Sequence, residues 1–199
     1  MVKIVSIGVL SIQGDISEHE SILNQTFKDM NTSGEVILIK NSSELNKIQG
    51  LIIPGGESTT ISKNIVKEKI YDRIKKRVLT DSLPIMGTCA GCVLLAKKIA
   101  DNNDIKTLNL IDMEVKRNAF GRQRDSFESD LKIDGLKDSF HAVFIRAPII
   151  TKVWGDCKIL STFSNKIVAV QQNNFLALSF HPELTNDTRI HRYFLSMII

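Results

Sequence analysis

One pentapeptide, Gly87-Thr88-Cys89-Ala90-Gly91, restricts what this chain can fold into more than any other segment. The apolar run Leu83-Pro84-Ile85-Met86 leads into it, and Cys92-Val93-Leu94-Leu95-Ala96 leads out with a helical pattern. Strand, tight Gly-x-Cys-x-Gly corner and helix make up the nucleophile-elbow arrangement, with sulfur in place of the serine oxygen. Strain at the corner lifts the side chain off the end of a sheet, where a substrate reaches it. The helix that begins there turns its unpaired amides and positive dipole end towards Cys89, which favours a thiolate. The pattern is short, however, and cysteine often serves as a small apolar filler. Cys92, inside the helix, and Cys157, after Trp154-Gly155-Asp156 with no basic partner nearby in sequence, read as fillers.

A second segment raises the odds for Cys89. Phe180-His181-Pro182-Glu183 follows a strand-like run over 175–180, and side chains two apart on a strand point the same way. His181 and Glu183 are therefore expected to face Cys89 together, His181 as the base and Glu183 as the group that fixes its tautomer. A third segment, Leu51-Ile52-Ile53-Pro54-Gly55-Gly56-Glu57-Ser58-Thr59-Thr60, runs from a buried strand through paired glycines to a helix start. Amides of Gly56 and Ala90 suit an oxyanion hole, while an ordinary strand-to-helix turn also uses such glycines.

Taken together, these segments resemble the class I (triad) glutamine amidotransferases, and within them the vitamin B6 branch. The motifs carrying the resemblance run in order through nearly the whole chain. They are Gly8-Val9-Leu10-Ser11-Ile12-Gln13-Gly14 with Glu18-His19, Pro54-Gly55-Gly56-Glu57-Ser58-Thr59, and Gly87-Thr88-Cys89-Ala90-Gly91. Arg117-Asn118-Ala119-Phe120-Gly121-Arg122-Gln123 with Ser126-Phe127-Glu128, Phe144-Ile145-Arg146-Ala147-Pro148, and Ser179-Phe180-His181-Pro182-Glu183-Leu184-Thr185 complete the set. No catalytic position departs from the pattern. The stretches 24–33, 101–106 and 153–156 are the variable ones.

The resemblance implies hydrolysis of L-glutamine to glutamate and ammonia by a Cys89, His181, Glu183 triad through a γ-glutamyl thioester. It assigns Gly56, Glu57, Ser58, Arg117, Ile145 and Arg146 to the glutamine pocket. A guanidinium suits the substrate carboxylate and Glu57 its ammonium. Arg122 and Arg124 lie close enough in sequence to Arg117 to take its role instead. No metal or cofactor is implied. The implied partner is a synthase subunit, a (β/α)8 barrel that condenses a pentose phosphate, a triose phosphate and ammonia to pyridoxal 5'-phosphate. Free ammonia in neutral water becomes ammonium, which is no nucleophile, so delivery argues for such a partner. The family further implies a sluggish glutaminase until docking orders the loop at Gly55-Gly56. For Gln13, Glu18 and His19 a docking face and a capped, solvated helix remain equal readings. A glutaminase subunit serving another acceptor, a free-standing cysteine hydrolase and a catalytically silent interaction subunit are the alternatives; intact Cys89, His181 and Glu183 argue against the last.

Composition is compatible with this. The 199 residues fit one glutaminase domain over 1–199, and 43% hydrophobic content supplies a sizeable core. A formal charge of +4 is mild. The densest basic stretch, Lys63 to Arg77, is interrupted by Glu68 and Asp72 and carries Ile61, Ile65, Ile70 and Ile74, which suits helices with solvated outer faces and not a nucleic-acid surface. No segment approaches the ~20 apolar residues of a membrane span. Three cysteines, one needed as a free thiol, point to the cytoplasm or an equivalent reducing compartment.

Strands are expected at 4–10, 36–39, 50–53 and 83–86, with a helix over 16–30 capped by Asp15, carrying Leu23, Phe27 and Met30 on one face. Further short strands are expected at 113–116, 142–145, 158–163, 167–172 and 175–180, with a hairpin turn at Asn173-Asn174. A last helix aligns Ile190, Tyr193, Phe194, Met197 and Ile198. The fold class that follows is α/β: a three-layer α/β/α sandwich with a mostly parallel central sheet, flavodoxin-like, as the amidotransferase resemblance also implies. Its site is expected at the carboxyl ends of the strands.

Overall fold

The computed structural model describes residues 4–100, 104–117, 119–120 and 126–199. Strand β1 (Val5–Leu10) is buried at every position, as a central strand covered on both faces must be. Helix α1 (Ile16–Asp29) returns the chain to β2 (Gly34–Ile39), parallel to β1 on one side. β3 (Gly50–Ile53) lies parallel to β1 on its other side. Helices α2 (Ser58–Lys67) and α3 (Ile70–Asp81) then cross to β4 (Ile85–Thr88), parallel to β3, and α4 (Ala90–Leu95) follows after one intervening residue. β4 begins two residues later than expected because Pro84 has no N–H for the ladder; its carbonyl instead accepts from Leu51 N at 2.9 Å.

The rest of the chain is richer in strand. β5 (Ala96–Ile99) and β6 (Ile111–Lys116) are parallel partners, while β7 (Ser126–Leu131) and β8 (Phe140–Ile145) form a separate antiparallel ribbon. β9 (Ile149–Val153), β10 (Lys158–Phe163), β11 (Lys166–Gln172) and β12 (Phe175–Leu178) return the chain to the main sheet. The order is β2-β1-β3-β4-β12-β11-β9-β6-β5, with β10 on β11. Ladders run parallel from β2 to β12 and at β5–β6, and antiparallel between. Asn173, with φ 51°, makes the expected turn between β11 and β12.

Alternation along the strands divides the core between two faces. Leu51, Ile53 and Ile85 pack with Ile61, Ile65, Ile70, Ile74 and Leu94 beneath α2, α3 and α4. Ile52, Met86, Ile7 and Val9 pack with Leu23 and Phe27 of α1 and with Ile190 and Phe194 of α5 (Arg189–Leu195). The β7–β8 ribbon adds Leu131, Phe140 and Phe144 to this second face. The carboxyl ends of β1, β3, β4 and β12, adjacent in the sheet, then hold the segments singled out from sequence.

Candidate active site

Cys89 stands between β4 and α4 with φ 47° and ψ −101°, a strained conformation for a residue with a Cβ. Its amide donates to Leu178 O of β12 at 2.9 Å, and its carbonyl accepts from Val93 N at 3.3 Å, so both neighbouring elements hold the corner. The flanking glycines are there for contact. A Cβ on Gly91 would lie 2.0 Å from Ile53 O, and one on Gly87 would lie 2.5 Å from the Gly91 carbonyl carbon. The sulfur donates weakly to Ile145 O at 3.8 Å. Cys92 is fully buried and Cys157 half-buried; burial raises both thiols, Cys157 to about 11, as inert fillers require.

His181 reaches Cys89 by a route other than the one expected. β12 ends at Leu178, and Pro182–Leu184 form a single 3-10 turn, so strand alternation does not align His181 with Glu183. Instead the turn folds Glu183 back under the ring, with Nδ1 2.7 Å from Glu183 Oε1. The His181 amide donates to Val143 O of β8 at 2.8 Å and fixes the segment. Nδ1 is also 3.1 Å from Asp15 Oδ2, which leaves Nε2 for the sulfur. Burial works against a charge on His181, but hydrogen bonds to Asp15, Cys89 and Glu183 outweigh it and push the pKa up to about 12. An imidazolium is thereby kept beside the sulfur. Burial raises the Glu183 carboxyl, and the hydrogen bond and charge of His181 oppose that rise.

Asp15 was expected only as the cap of α1. Its side chain makes no capping hydrogen bond and turns into the site instead. It is the residue that sequence reasoning missed, together with Gln13, Val93 and Pro148 of the same cleft. Nothing local distinguishes an aspartate that caps a helix from one that faces a histidine 166 positions later; only the adjacency of β1, β3, β4 and β12 does. Asp15, His181 and Glu183 also have the side chains of a metal site within 4.8 Å. The 2.7 Å Nδ1 to Oε1 spacing is that of a hydrogen bond, shorter than the ~3.3 Å between two ligand atoms of one tetrahedral ion with ~2 Å bonds.

The cleft above Cys89 has a volume of about 320 Å³. Gly56, with φ 144°, and Ala90 both line it, as the oxyanion reading requires. Glu57, Ser58, Arg117, Ile145 and Arg146 line it too, while Glu183 lies behind His181. Glu57 does more than face a ligand: its carboxylate caps α2, accepting from Thr59 N at 2.9 Å and Thr60 N at 2.6 Å. Against a partial burial that raises it, the hydrogen bonds of Thr60 and Thr59 hold this carboxyl at about 2. Arg117 Nη1 is 3.4 Å from both Ser58 Oγ and Thr59 Oγ1 and 3.9 Å from Glu57 Oε1, and its Nε is buried without a hydrogen-bond partner. Arg146, at φ 42°, follows Ile145 in the chain and lines the cleft with it. Asn118, Gly121, Arg122, Gln123 and Arg124 lie outside the described residues, as does 101–103 of the variable stretches.

Both sequence readings of the segment after Gln13 are corrected at His19. It is on neither a docking face nor a solvated one, being fully buried. Gln13 is exposed and its Oε1 accepts from Glu57 N at 3.3 Å, tying the loop after β1 to the loop after β3.

Comparison with known proteins is consistent with this site. The model of the SNO glutamine amidotransferase family matches residues 9–199. A protein of Staphylothermus marinus named pyridoxal 5'-phosphate synthase subunit PdxT is 46% identical over 202 residues, covering 97% of this chain and 98% of that protein. One of Oenococcus oeni with the same name is 49% identical over 193 residues, covering 97% and 96%. A crystal structure described as a glutamine amidotransferase superposes with a TM-score of 0.88 at 43% identity, over 96% of this chain and 98% of that one. A second, from Thermotoga maritima, has a TM-score of 0.62 at 14% identity over 96% and 81%, and shares the fold.

Proposed function

For this chain, which belongs to the SNO glutamine amidotransferase family, we propose the role of glutaminase subunit of a pyridoxal 5'-phosphate synthase. The observation carrying the site assignment is the His181 ring, which lines the same cleft as Cys89 and is hydrogen-bonded through Nδ1 to Glu183 at 2.7 Å. Cys89 sulfur, as the thiolate paired with the His181 imidazolium, attacks the side-chain carboxamide carbon of L-glutamine, and the oxygen that gains the negative charge lies against the Gly56 and Ala90 amides. His181 gives its Nε2 proton to the leaving nitrogen, the C–N bond breaks, and ammonia departs from a γ-glutamyl thioester. Neutral His181 then takes a proton from water as that water attacks the thioester, releasing glutamate and restoring the thiolate beside the His181 imidazolium. Glu183 and Asp15 hold Nδ1–H throughout, so the ring stays in the tautomer that aims Nε2 at sulfur.

In the pocket, Arg117 and Arg146 receive the α-carboxylate and the Glu57 carboxylate the α-ammonium, with Ser58 and Ile145 shaping the walls. Ammonia passes to a (β/α)8-barrel synthase subunit, whose docking orders the Gly55-Gly56 loop. Gly55 sits so close to His181 Cε1, 2.4 Å from where its Cβ would be, that movement of this loop acts directly on the base. The single domain requires neither metal nor cofactor of its own. Its free cysteines suit the reducing cytoplasm, and among the described residues no helix is long and apolar enough to cross a membrane.

The test is to incubate the chain with glutamine, with and without a candidate synthase and its two sugar phosphates, and follow glutamate together with absorbance of the coenzyme. Cys89→Ala is expected to lower glutaminase turnover by on the order of 10⁴-fold or more while the circular dichroism spectrum is retained. Normal turnover in that variant rejects the assignment. Equal turnover with and without the synthase rejects activation by docking.

A further inference from the structure

Behind the triad lie two histidines that the mechanism above does not use. His19, on the first turn of α1, and His191, on α5, are both fully buried. His19 Nε2 is 3.4 Å from Glu183 Oε2 and 3.2 Å from Thr88 Oγ1 at the end of β4, and His19 Nδ1 is 3.4 Å from His191 Nε2. Glu183 thus has both oxygens faced by imidazoles: Oε1 is hydrogen-bonded to the His181 ring, and Oε2, a buried atom with no hydrogen-bond partner, lies 3.4 Å from His19 Nε2.

Burial, with the charges of His191 and His181 adding to it, keeps His19 far below the usual histidine range, and burial alone takes His191 to about 3. Both rings are neutral, so each carries one N–H, and one arrangement leaves no buried donor without an acceptor. If His19 carries its proton on Nδ1, a bare Nε2 lone pair faces the Glu183 carboxylate, and His191 must accept at Nε2 and point a Nδ1–H at nothing. His191 Nδ1 has no hydrogen-bond partner, and a buried donor left without an acceptor is costly. With both protons on Nε2, His191 donates to His19, the His19 N–H is turned to Thr88 Oγ1 at 3.2 Å with Glu183 Oε2 3.4 Å away, and His191 Nδ1 is only a bare acceptor. The chain of donors then runs in one direction, from His191 through His19 towards the carboxylate that also receives His181 Nδ1–H.

We propose that His19 and His191 are positioning residues of the triad, a buried relay that fixes the second oxygen of Glu183 and through it the His181 ring. This rests on the glutaminase reading given above, in which Glu183 orients His181. The groups facing the relay are Thr88 from β4, His181 and Glu183 from the turn after β12, and, through His181, Asp15 from the loop after β1. His19 does not line the cleft, so it acts on orientation and not on substrate contact.

Ring nitrogen spectra of the full chain, which has only four histidines, test the relay without any glutamine. Both buried rings are expected as Nε2–H tautomers at neutral pH; a Nδ1–H on either overturns the proposal. In steady-state assays of the chain with its synthase, His19→Leu is expected to lower kcat on the order of 10²-fold with KM unchanged. Gln places an N–H where Nε2 stands, so His19→Gln is expected to stay within about threefold of the parent. Equal losses in the two variants indicate a packing role alone and overturn the relay, as does an unimpaired His19→Leu. If the parent chain hydrolyses no glutamine, the functional reading fails, and the tautomer spectra still decide the relay.

Discussion

A single proton on His181 Nδ1 is shared between two carboxylates of different character. Glu183 is 2.7 Å away with its side chain fully buried, and Asp15 is 3.1 Å away with a third of its side chain exposed. The buried partner sets geometry, because it has nowhere else to turn; the exposed one supplies charge that water partly screens. The hydrogen bond to His181 in turn holds Asp15 below the usual carboxylate range. Asp15→Asn removes the charge and keeps the shape. Losing it lowers the His181 pKa, so the alkaline fall in kcat/KM, where His181 can no longer protonate the leaving nitrogen, is expected to move to lower pH by roughly one unit. Turnover near neutrality is expected to drop only about tenfold, far less than the ~10⁴-fold loss typical when the orienting carboxylate of a triad is replaced. A pH profile of the variant, with ring titration of His181, reads both numbers; an unmoved alkaline limb shows that Asp15 does not act on the base. That Cys89, His181 and Glu183 come to one place was legible in a corner and a closely spaced pair, although the pair lies on a 3-10 turn where the sequence reads as strand. Asp15 and His19 were not, since each meets its partner only through the sheet.

At the level of elements, the site depends on how closely the elbow approaches its neighbour. With Gly91 in place, the first turn of α4 lies against the Ile53 carbonyl; a methyl there would be 2.0 Å from that oxygen. Gly91→Ala is expected to destabilise the fold by about 3 kcal/mol, at the upper end of overpacking costs, and to displace the Ala90 amide, seen as a lowered urea midpoint with loss of turnover. Glu57→Ala removes the two-amide cap of α2 and is expected to cost about 1 kcal/mol while raising KM, since the same carboxylate faces the cleft. Glu57→Gln separates the two roles, keeping an acceptor for the cap and losing the charge for the ligand. Strands such as β1 and β3 were legible because every residue is buried and all but Ser6 are apolar or glycine. β5, β7 and β9 were not anticipated: Ala96-Lys97-Lys98-Ile99 and Ser126-Phe127-Glu128-Ser129-Asp130-Leu131 bury only one side chain each and owe their conformation to a partner strand. Hydrophobic pattern reports burial, and an edge or ribbon strand buries little.

For the molecule as a whole, the three buried imidazoles impose opposite pH dependences on either side of their ordinary pKa of 6.5. Below it the unfolded chain protonates His19 and His191, while the fold keeps both neutral, His191 down to about 3. Unfolding therefore takes up protons, and stability falls as pH drops, by about 1.4 kcal/mol per pH unit for each ring. Above 6.5 the sign reverses: the folded chain keeps the His181 proton up to about 12 and the unfolded chain does not. Stability present below 6.5 is then lost as pH rises, again by about 1.4 kcal/mol per unit. The stability profile is thus expected to peak near neutrality, with an acid side about twice as steep as the alkaline one until the carboxylates titrate. Urea unfolding at several pH values between about 5 and about 9 measures both slopes. His191→Phe is expected to halve the acid slope and leave the alkaline one, whereas Glu183→Gln flattens the alkaline slope. An acid slope unchanged by His191→Phe would mean that the second ring is not held neutral, and the buried relay behind the triad would lose its premise along with it.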